Sequence, residues 1–334
     1  MRTRAGLRHR LALNENPYGP LPSVHAALTE ALAGANRYPE FIPATLPRLI
    51  AEHHGYDRAR IAVGPGATGV IMWVLQEFAA AGGRVVMTEP TFDGYPLLTA
   101  TVGGEAVLVP LTPQGCQDLA AMAAIGDAST ALIVLCNPHN PTGTRLAPEA
   151  LDSFLDAVDP SVPVLLDEAY IEFVAPAERA DTEALLDRHP NLIAVRTFSK
   201  AFGLAALRIG YAIGHPDLIA RIRRWQVPFG MHALAEVGVR ACYAAELELA
   251  ARVEAITDER TRLATGLREL GWRIPTSAAN FVYLPVADAA ELHRLDAAFT
   301  HAEILVKHCP AGIRVTVGDC AATEAVLAAV AAVR

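Results

Sequence analysis

Apolar runs of strand length recur along this chain with helix-like segments between them, and no other feature restricts the fold as much. The alternation is that of a mainly parallel sheet covered by helices on both faces. Strands are expected at Arg84 to Thr88, Glu105 to Val109, Ala131 to Cys136, Val164 to Asp167, Leu192 to Thr197 and Arg208 to Ala212. Helices such as Ala67 to Ala81 and Pro148 to Val158 separate them. After Gly214 the pattern changes to long helical stretches, Asp217 to Trp225 and Ala233 to Leu270. Short strands follow around Phe281 to Leu284 and Ile313 to Thr316, and an Ala-rich helix runs from Ala321. A second, smaller α/β domain is expected there. The segment before about Arg48 is rich in Pro and turn residues and is expected to lie across the large domain or return to the small one. The expected division is a joining segment over 1–47, a large-domain core over 48–214, a connection over 215–235 and a small C-terminal domain over 236–334.

Composition narrows the partners. With 334 residues, 52% hydrophobic and 19% charged, the chain can bury a large core, which excludes a disordered or fibrous protein. The formal charge of −8, without a run of Lys or Arg, argues against a nucleic-acid surface or a polybasic membrane anchor, so the expected partner is a small molecule. Cys116, Cys136, Cys242, Cys309 and Cys320 stand far apart with no CxxC pair, which suggests neither a disulfide framework nor a metal site and fits a reducing cytoplasm. MRTRAGLRHR lacks the apolar core of a signal peptide, and the apolar runs are too short to span a bilayer.

Chemistry centres on Thr197-Phe198-Ser199-Lys200-Ala201-Phe202-Gly203, directly after an apolar strand, with Arg208 beyond it. A lysine at a strand end, flanked by hydroxyls and an arginine, suits Schiff-base chemistry beside a phosphate, although most lysines are merely solvated. Asp167 closes the strand Val164 to Asp167, at the carboxyl end where α/β ligand crevices lie. A carboxylate there keeps a pyridine nitrogen protonated, and Tyr170 lies within reach of a ring hydroxyl; the bland alternative is an Asp that caps a helix. Asn140, in Asn137-Pro138-His139-Asn140-Pro141-Thr142-Gly143, ends a neighbouring strand, where its amide suits a cofactor oxygen or substrate carboxylate. Gly64-Pro65-Gly66-Ala67-Thr68-Gly69 precedes an apolar helix whose N-terminus favours a phosphate, but it does not fit the dinucleotide fingerprint. Phe92 is either a stacking aromatic or ordinary core.

Taken together, NENPYGP at Asn14, NRYPE at Asn36, GPGAT at Gly64, PTF at Pro90, NPHNPTG at Asn137, DEAY at Asp167, FSKAFGLAALRIG at Phe198 and IRVTVG at Ile313 resemble a pyridoxal-phosphate aminotransferase of fold type I. The pattern, over about residues 11 to 318, is most similar to the histidinol-phosphate aminotransferase family. The resemblance implies an aspartate aminotransferase-like large domain with a mainly parallel seven-stranded sheet. It implies that Lys200 holds pyridoxal 5′-phosphate as a Schiff base and shuttles the proton, and that Asp167 faces the pyridine nitrogen. Tyr170 and Asn140 match the ring-hydroxyl partners, Phe92 the stacking ring, and Gly66, Ala67, Thr68, Thr197, Ser199 and Arg208 the phosphate cradle. Tyr38 matches a tyrosine that reaches the neighbouring subunit's cofactor in a homodimer. Asn16, Asn140, Lys307 and Arg314 fall on the substrate side, with Arg314 clamping a carboxylate through two parallel hydrogen bonds.

Two departures stand out. Thr68-Gly69 replaces an acidic pair at the helix start. Lys307 stands where the family has a second arginine for the substrate phosphate; a lysine neutralises only as a point charge, which leaves room for a different acid or a shorter side chain. The expected activity is transfer of an amino group between an amino acid, with glutamate as donor, and a 2-oxo acid or phosphorylated oxo compound. The alternative is a decarboxylase resembling threonine-phosphate decarboxylases. A silent ligand-binding module of a DNA-binding regulator is disfavoured, because no basic recognition helix is present.

Overall fold

The computed structural model describes residues 7–127 and 129–333. Arg2 and Arg4 of the basic N-terminus lie outside the described residues. Eleven strands are seen among those described: β1 (His9–Leu11), β2 (Ile61–Pro65), β3 (Arg84–Glu89), β4 (Glu105–Pro110), β5 (Thr130–Cys136), β6 (Val164–Asp167), β7 (Leu192–Thr197), β8 (Ile209–Gly214), β9 (Phe281–Pro285), β10 (Ile304–Cys309) and β11 (Gly312–Thr316).

Seven of them form one sheet in the order β2-β8-β7-β6-β5-β3-β4. All its pairings are parallel except those of β8, which runs against both β2 and β7. The unbroken apolar runs follow from burial of both faces. Ile133, Leu135, Val164, Leu166, Leu192 and Ala194 point into one core, while Leu132, Val134, Leu165, Ile193 and Val195 alternate into the other.

The second sheet has the order β1-β10-β11-β9. Its β1 comes from the N-terminal segment and pairs in parallel with β10. The large core also gathers Leu21 and Val24 from the N-terminal side and Met231, Ala235, Val239 and Cys242 from beyond residue 214. No helix among the described residues is long and apolar enough to cross a membrane.

Several boundaries differ from expectation. β2 was absent from the expected set because its run ends in Gly64-Pro65, residues that read as a turn. The strand expected from Arg208 begins at Ile209, because Arg208 adopts a left-handed conformation with φ of 45°. The helix expected over Ala233 to Leu270 is two helices, Leu234–Ala244 and Glu246–Glu269, broken at Ala245. The helix expected over Ala67 to Ala81 spans Gly66–Phe78.

Candidate active site

The carboxyl ends of the parallel strands meet at one edge of the large sheet. Because β8 runs the other way, its amino end arrives at that same edge, with Ile209 opposite Pro65 and Gly210 opposite Thr197. Arg208 is thereby carried to the start of the helix Gly66–Phe78. The approach is close: a Cβ on Gly66 would overlap the Arg208 guanidinium, and one on Gly210 would overlap the backbone nitrogen of Ala67. Only glycine fits at these two positions without displacing the pair.

A cavity of about 240 Å³ opens at this edge, lined by Ala67, Thr68, Phe92, Asn140, Asp167, Tyr170, Thr197, Ser199, Lys200 and Arg208 among others. Ten of the residues singled out in the sequence therefore share one cavity. A larger one, about 840 Å³, is lined instead by residues such as Glu172, Arg196 and Tyr211 and holds none of them. Arg196 and Thr197 are consecutive on β7 and so face opposite sides of the sheet. Size alone would have chosen the wrong side.

The small cavity has a cationic, hydroxyl-rich end and an acidic end. No side chain caps the helix Gly66–Phe78, so the N–H groups of its first turn are not taken by a side-chain acceptor. Thr197 Oγ1 donates to Ser199 Oγ at 2.9 Å, and Arg208 Nη1 donates to the same oxygen at 3.3 Å and to the Ala205 carbonyl at 2.9 Å. Helix N-terminus, guanidinium and hydroxyls make a cradle for a phosphate. At the other end Asp167 is 5% exposed. One of its oxygens accepts the Ala169 N–H at 2.9 Å, and the other accepts the hydroxyl of Tyr95. Burial pushes its carboxyl above the usual value, while the Tyr95 and Ala169 donors and the nearby Lys200 oppose that rise.

Lys200 Nζ donates to the Leu13 and Asn14 carbonyls at 3.0 and 3.1 Å. Burial, and secondarily the Arg314 charge, pull its amine down to about 8, against the pull of Glu15 and Asp167. A neutral amine is thus accessible near physiological pH, as both a nucleophile and a base require. Tyr170 hydroxyl accepts from Asn14 Nδ2 at 2.9 Å and stands 3.5 Å from Asn140 Nδ2. The residues present fit pyridoxal phosphate: an anion cradle, a buried acid, a flat aromatic wall at Phe92 and an amine of lowered pKa line one cavity.

Five expected residues, Gly66, Arg314, Asn16, Lys307 and Tyr38, lie outside its lining. Arg314 stands next to it, 6% exposed, donating to Asn140 Oδ1 at 2.5 Å and to the Ala12 carbonyl at 2.6 Å. Asn16 is used otherwise, donating to the Lys200 and Ala201 carbonyls at 3.1 and 3.0 Å, so it holds the loop after the lysine. Lys307 is ion-paired with Asp93. Tyr38 is 84% exposed and packs on Phe229, with ring centroids 4.9 Å apart. The loop that carries Phe229 also exposes Val227 at the surface. Gly66 contributes by leaving space rather than by lining.

Two contributors escaped the sequence reading. Tyr95 is fully buried and reads as core in a helix. Asn14 is a hub: its N–H meets Thr316 Oγ1, its amide meets Tyr170, and its carbonyl receives both Lys200 and Asn280. Its φ of 52°, which asparagine tolerates better than most residues, allows these contacts, and its place in NENPYGP was the available signal.

A family model described as aminotransferase class I and II matches residues 9–332. The aromatic amino acid aminotransferase of Streptomyces coelicolor is 40% identical over 316 residues, covering 95% of this chain and 88% of that one. That of Mycobacterium avium is 41% identical over 321 residues, covering 95% and 90%. The crystal structure of histidinol-phosphate aminotransferase from Sinorhizobium meliloti in complex with pyridoxal-5′-phosphate matches with a TM-score of 0.90 at 29% identity, covering 98% of this chain and 91% of that one. A Thermus thermophilus aspartate aminotransferase variant shares the fold, with a TM-score of 0.85 at 21% identity over 100% and 99% of the two chains.

Proposed function

The chain belongs to the class I and II aminotransferases, which depend on pyridoxal phosphate, and from that premise we propose that it moves an amino group between glutamate and an aromatic 2-oxo acid. The single observation that carries the chemistry is that Lys200, the buried Asp167 and the phosphate-type cradle line one cavity. The aromatic side of the proposal rests on similarity to the two curated aromatic amino acid aminotransferases, over nine-tenths or more of this chain. The same geometry would serve a phosphorylated oxo substrate, so the choice between them is the point to test.

When bound, the cofactor supplies an electron sink for the charge that develops at the substrate α-carbon. Asp167 holds a proton on the ring nitrogen, which its buried, doubly hydrogen-bonded carboxylate is placed to do. Asn140 and Tyr170 orient the ring hydroxyl, and Phe92 fixes the ring plane. Ala67, Thr68, Thr197, Ser199 and Arg208 bind the phosphate. Arg314 would bind the substrate carboxylate with its planar fork and so orient the amino acid. Lys200 Nζ would be the covalent anchor of the cofactor and the group that moves a proton at the substrate α-carbon.

Tyr38, Phe41, Val227 and Phe229 form an exposed apolar patch on one surface. Such a cluster is characteristic of an interface, and a homodimer in which Tyr38 reaches the other subunit's cofactor accounts for its exposure. The large and small sheets, with the N-terminal segment crossing between them, would then act as the two domains of each subunit.

The test is the visible spectrum of the protein with pyridoxal phosphate before and after L-glutamate, followed by turnover with phenylpyruvate and with imidazole acetol phosphate. A cofactor band bleached by glutamate, and faster turnover with phenylpyruvate, is the expected result. Release of carbon dioxide from an amino acid would move the assignment to a decarboxylase, and absence of a band would overturn the roles given to Lys200.

A further inference from the structure

We propose that Asp152, Asp156 and His189 form a site for one divalent cation of the zinc type, at the edge of the large sheet remote from the cavity. The inference is independent of the transaminase reading.

The placement starts from two crossovers. Asp152 and Asp156 are one turn apart on the helix Pro148–Ala157 and so share a face, while Leu151, Phe154 and Leu155 bury the other against the core. His189 follows the helix Thr182–Arg188, which packs on the same core through Leu185 and Leu186, and comes just before β7. These helices lead into β6 and β7, neighbouring parallel strands, so their C-terminal ends arrive together at the amino edge of the sheet. Asp167 and Lys200 belong to the carboxyl edge.

The three side chains do not complete a hydrogen-bond network. His189 is 8% exposed, and its Nε2 is buried without a hydrogen-bond partner. That nitrogen stands 3.6 Å from Asp152 Oδ1 and 3.8 Å from Asp156 Oδ1. Both separations are too long for a hydrogen bond, to which a merely protonated imidazole would draw the acids. They are near the gap of about 3.4 Å that two donors leave across a tetrahedral ion with bonds of about 2.0–2.1 Å. All three donor atoms lie within 4.8 Å of one another, and Asp156, with its side chain 70% exposed, is able to turn and close the remainder.

Charge favours a cation there. Arg188 Nη1 donates to Asp152 Oδ2 at 3.0 Å, and Nη2 lies 2.6 Å from Oδ1. This pairing holds the Asp152 carboxyl below its usual value, so the ligand is ionised. Two carboxylates against one guanidinium leave a net negative charge, and Asp156 has no Arg or Lys ion pair among the described residues. An ion on Oδ1 still leaves Oδ2 to Arg188. One imidazole with two carboxylates suits a zinc-type ion; magnesium and calcium prefer all-oxygen sets, and copper(I) prefers sulfur. Water completes the tetrahedron. No cysteine takes part, so the cysteine spacing held no sign of the site. An ion bound only by the folded chain clamps the crossover before β6 to the one before β7 and stabilises the sheet.

The experiment is a Co2+ titration of the metal-free, cofactor-loaded protein, followed at wavelengths beyond the cofactor bands, with Zn2+ then added as competitor. The expected result is an intense tetrahedral-type band that saturates at one ion per chain and is displaced by Zn2+, and a melting temperature raised by excess Zn2+. His189→Gln and Asp156→Asn should each weaken Zn2+ binding by about tenfold or more and abolish the melting shift. Asp156 is exposed, so its variant judges the site even if His189→Gln fails to fold. The weak band of an octahedral ion, no saturable binding, or binding unchanged in Asp156→Asn would each overturn the proposal.

Discussion

The Tyr95 hydroxyl, completely buried, donates to one carboxylate oxygen of Asp167 while the Ala169 N–H occupies the other. The acid is thus held by two donors before any ligand arrives. Removing one by Tyr95→Phe leaves a buried acceptor underused, at a cost of about 1–3 kcal/mol, and pushes the Asp167 carboxyl further toward its neutral form. We expect cofactor-loaded Tyr95→Phe to lose roughly tenfold or more in kcat with KM little changed, and its loss to deepen as pH falls. A pH–rate profile identical to wild type would show that the tyrosine only fills space.

Asp167→Ala should cost far more in rate than in stability, because the carboxylate sits against the cavity rather than capping a helix. Thermal melting of the cofactor-free protein and single-turnover rates with glutamate make the comparison. A loss of folding comparable to the loss of rate would favour a structural role.

Lys200 gives a pH prediction with a definite sign. With the amine at about 8, the neutral form grows steeply up to that pH and then levels, so capture of pyridoxal phosphate by the cofactor-free protein should accelerate from pH 6 to 8 and flatten above. A lysine at its ordinary 10.5 would keep accelerating past pH 9. In stability, the unfolded chain holds the extra proton between about 8 and 10.5, so the cofactor-free protein gains stability from this group as pH rises through that window. Lys200→Ala should remove both effects, abolish turnover and leave the fold intact.

Arg314→Lys keeps a charge but loses the fork that reaches Asn140 and Ala12 together. The expected outcome is a KM for the amino acid raised about 100-fold, corresponding to roughly 2–3 kcal/mol, the worth of a charge-assisted hydrogen bond. Binding of 3-phenylpropionate, which needs only its carboxylate recognised, should weaken in step. Unaltered binding of that probe would dissociate Arg314 from carboxylate recognition.

Tyr38→Ala and Phe229→Ala remove the two rings of one exposed stack. Sedimentation should show the double variant shifting toward monomer, and Tyr38→Ala alone weakening the cofactor. A wild-type monomer that turns over normally would exclude the shared-site arrangement.

Much of this molecule was legible without coordinates because its local signals agree. β5, β6 and β7 are largely apolar runs that a sheet buried on both faces accommodates; Asp167 closes β6, and Asn140 and Lys200 lie within four residues of the ends of β5 and β7, so strand direction brings them to one edge. Other features depended on contacts between residues far apart in sequence, which no window along the chain contains. β2 hid behind a Gly-Pro turn signal, and its pairing with the antiparallel β8 is what delivers Arg208 to the helix start. Tyr95 looks like any core tyrosine until Asp167 is seen beside it. Lys307 reads as a phosphate ligand by its position in the chain, but Asp93, more than two hundred residues away, has already neutralised it. Covalent order and hydrophobic pattern determined the scaffold and the identity of the reacting groups; the charge state and availability of those groups were decided by burial and by partners that only the tertiary structure supplies.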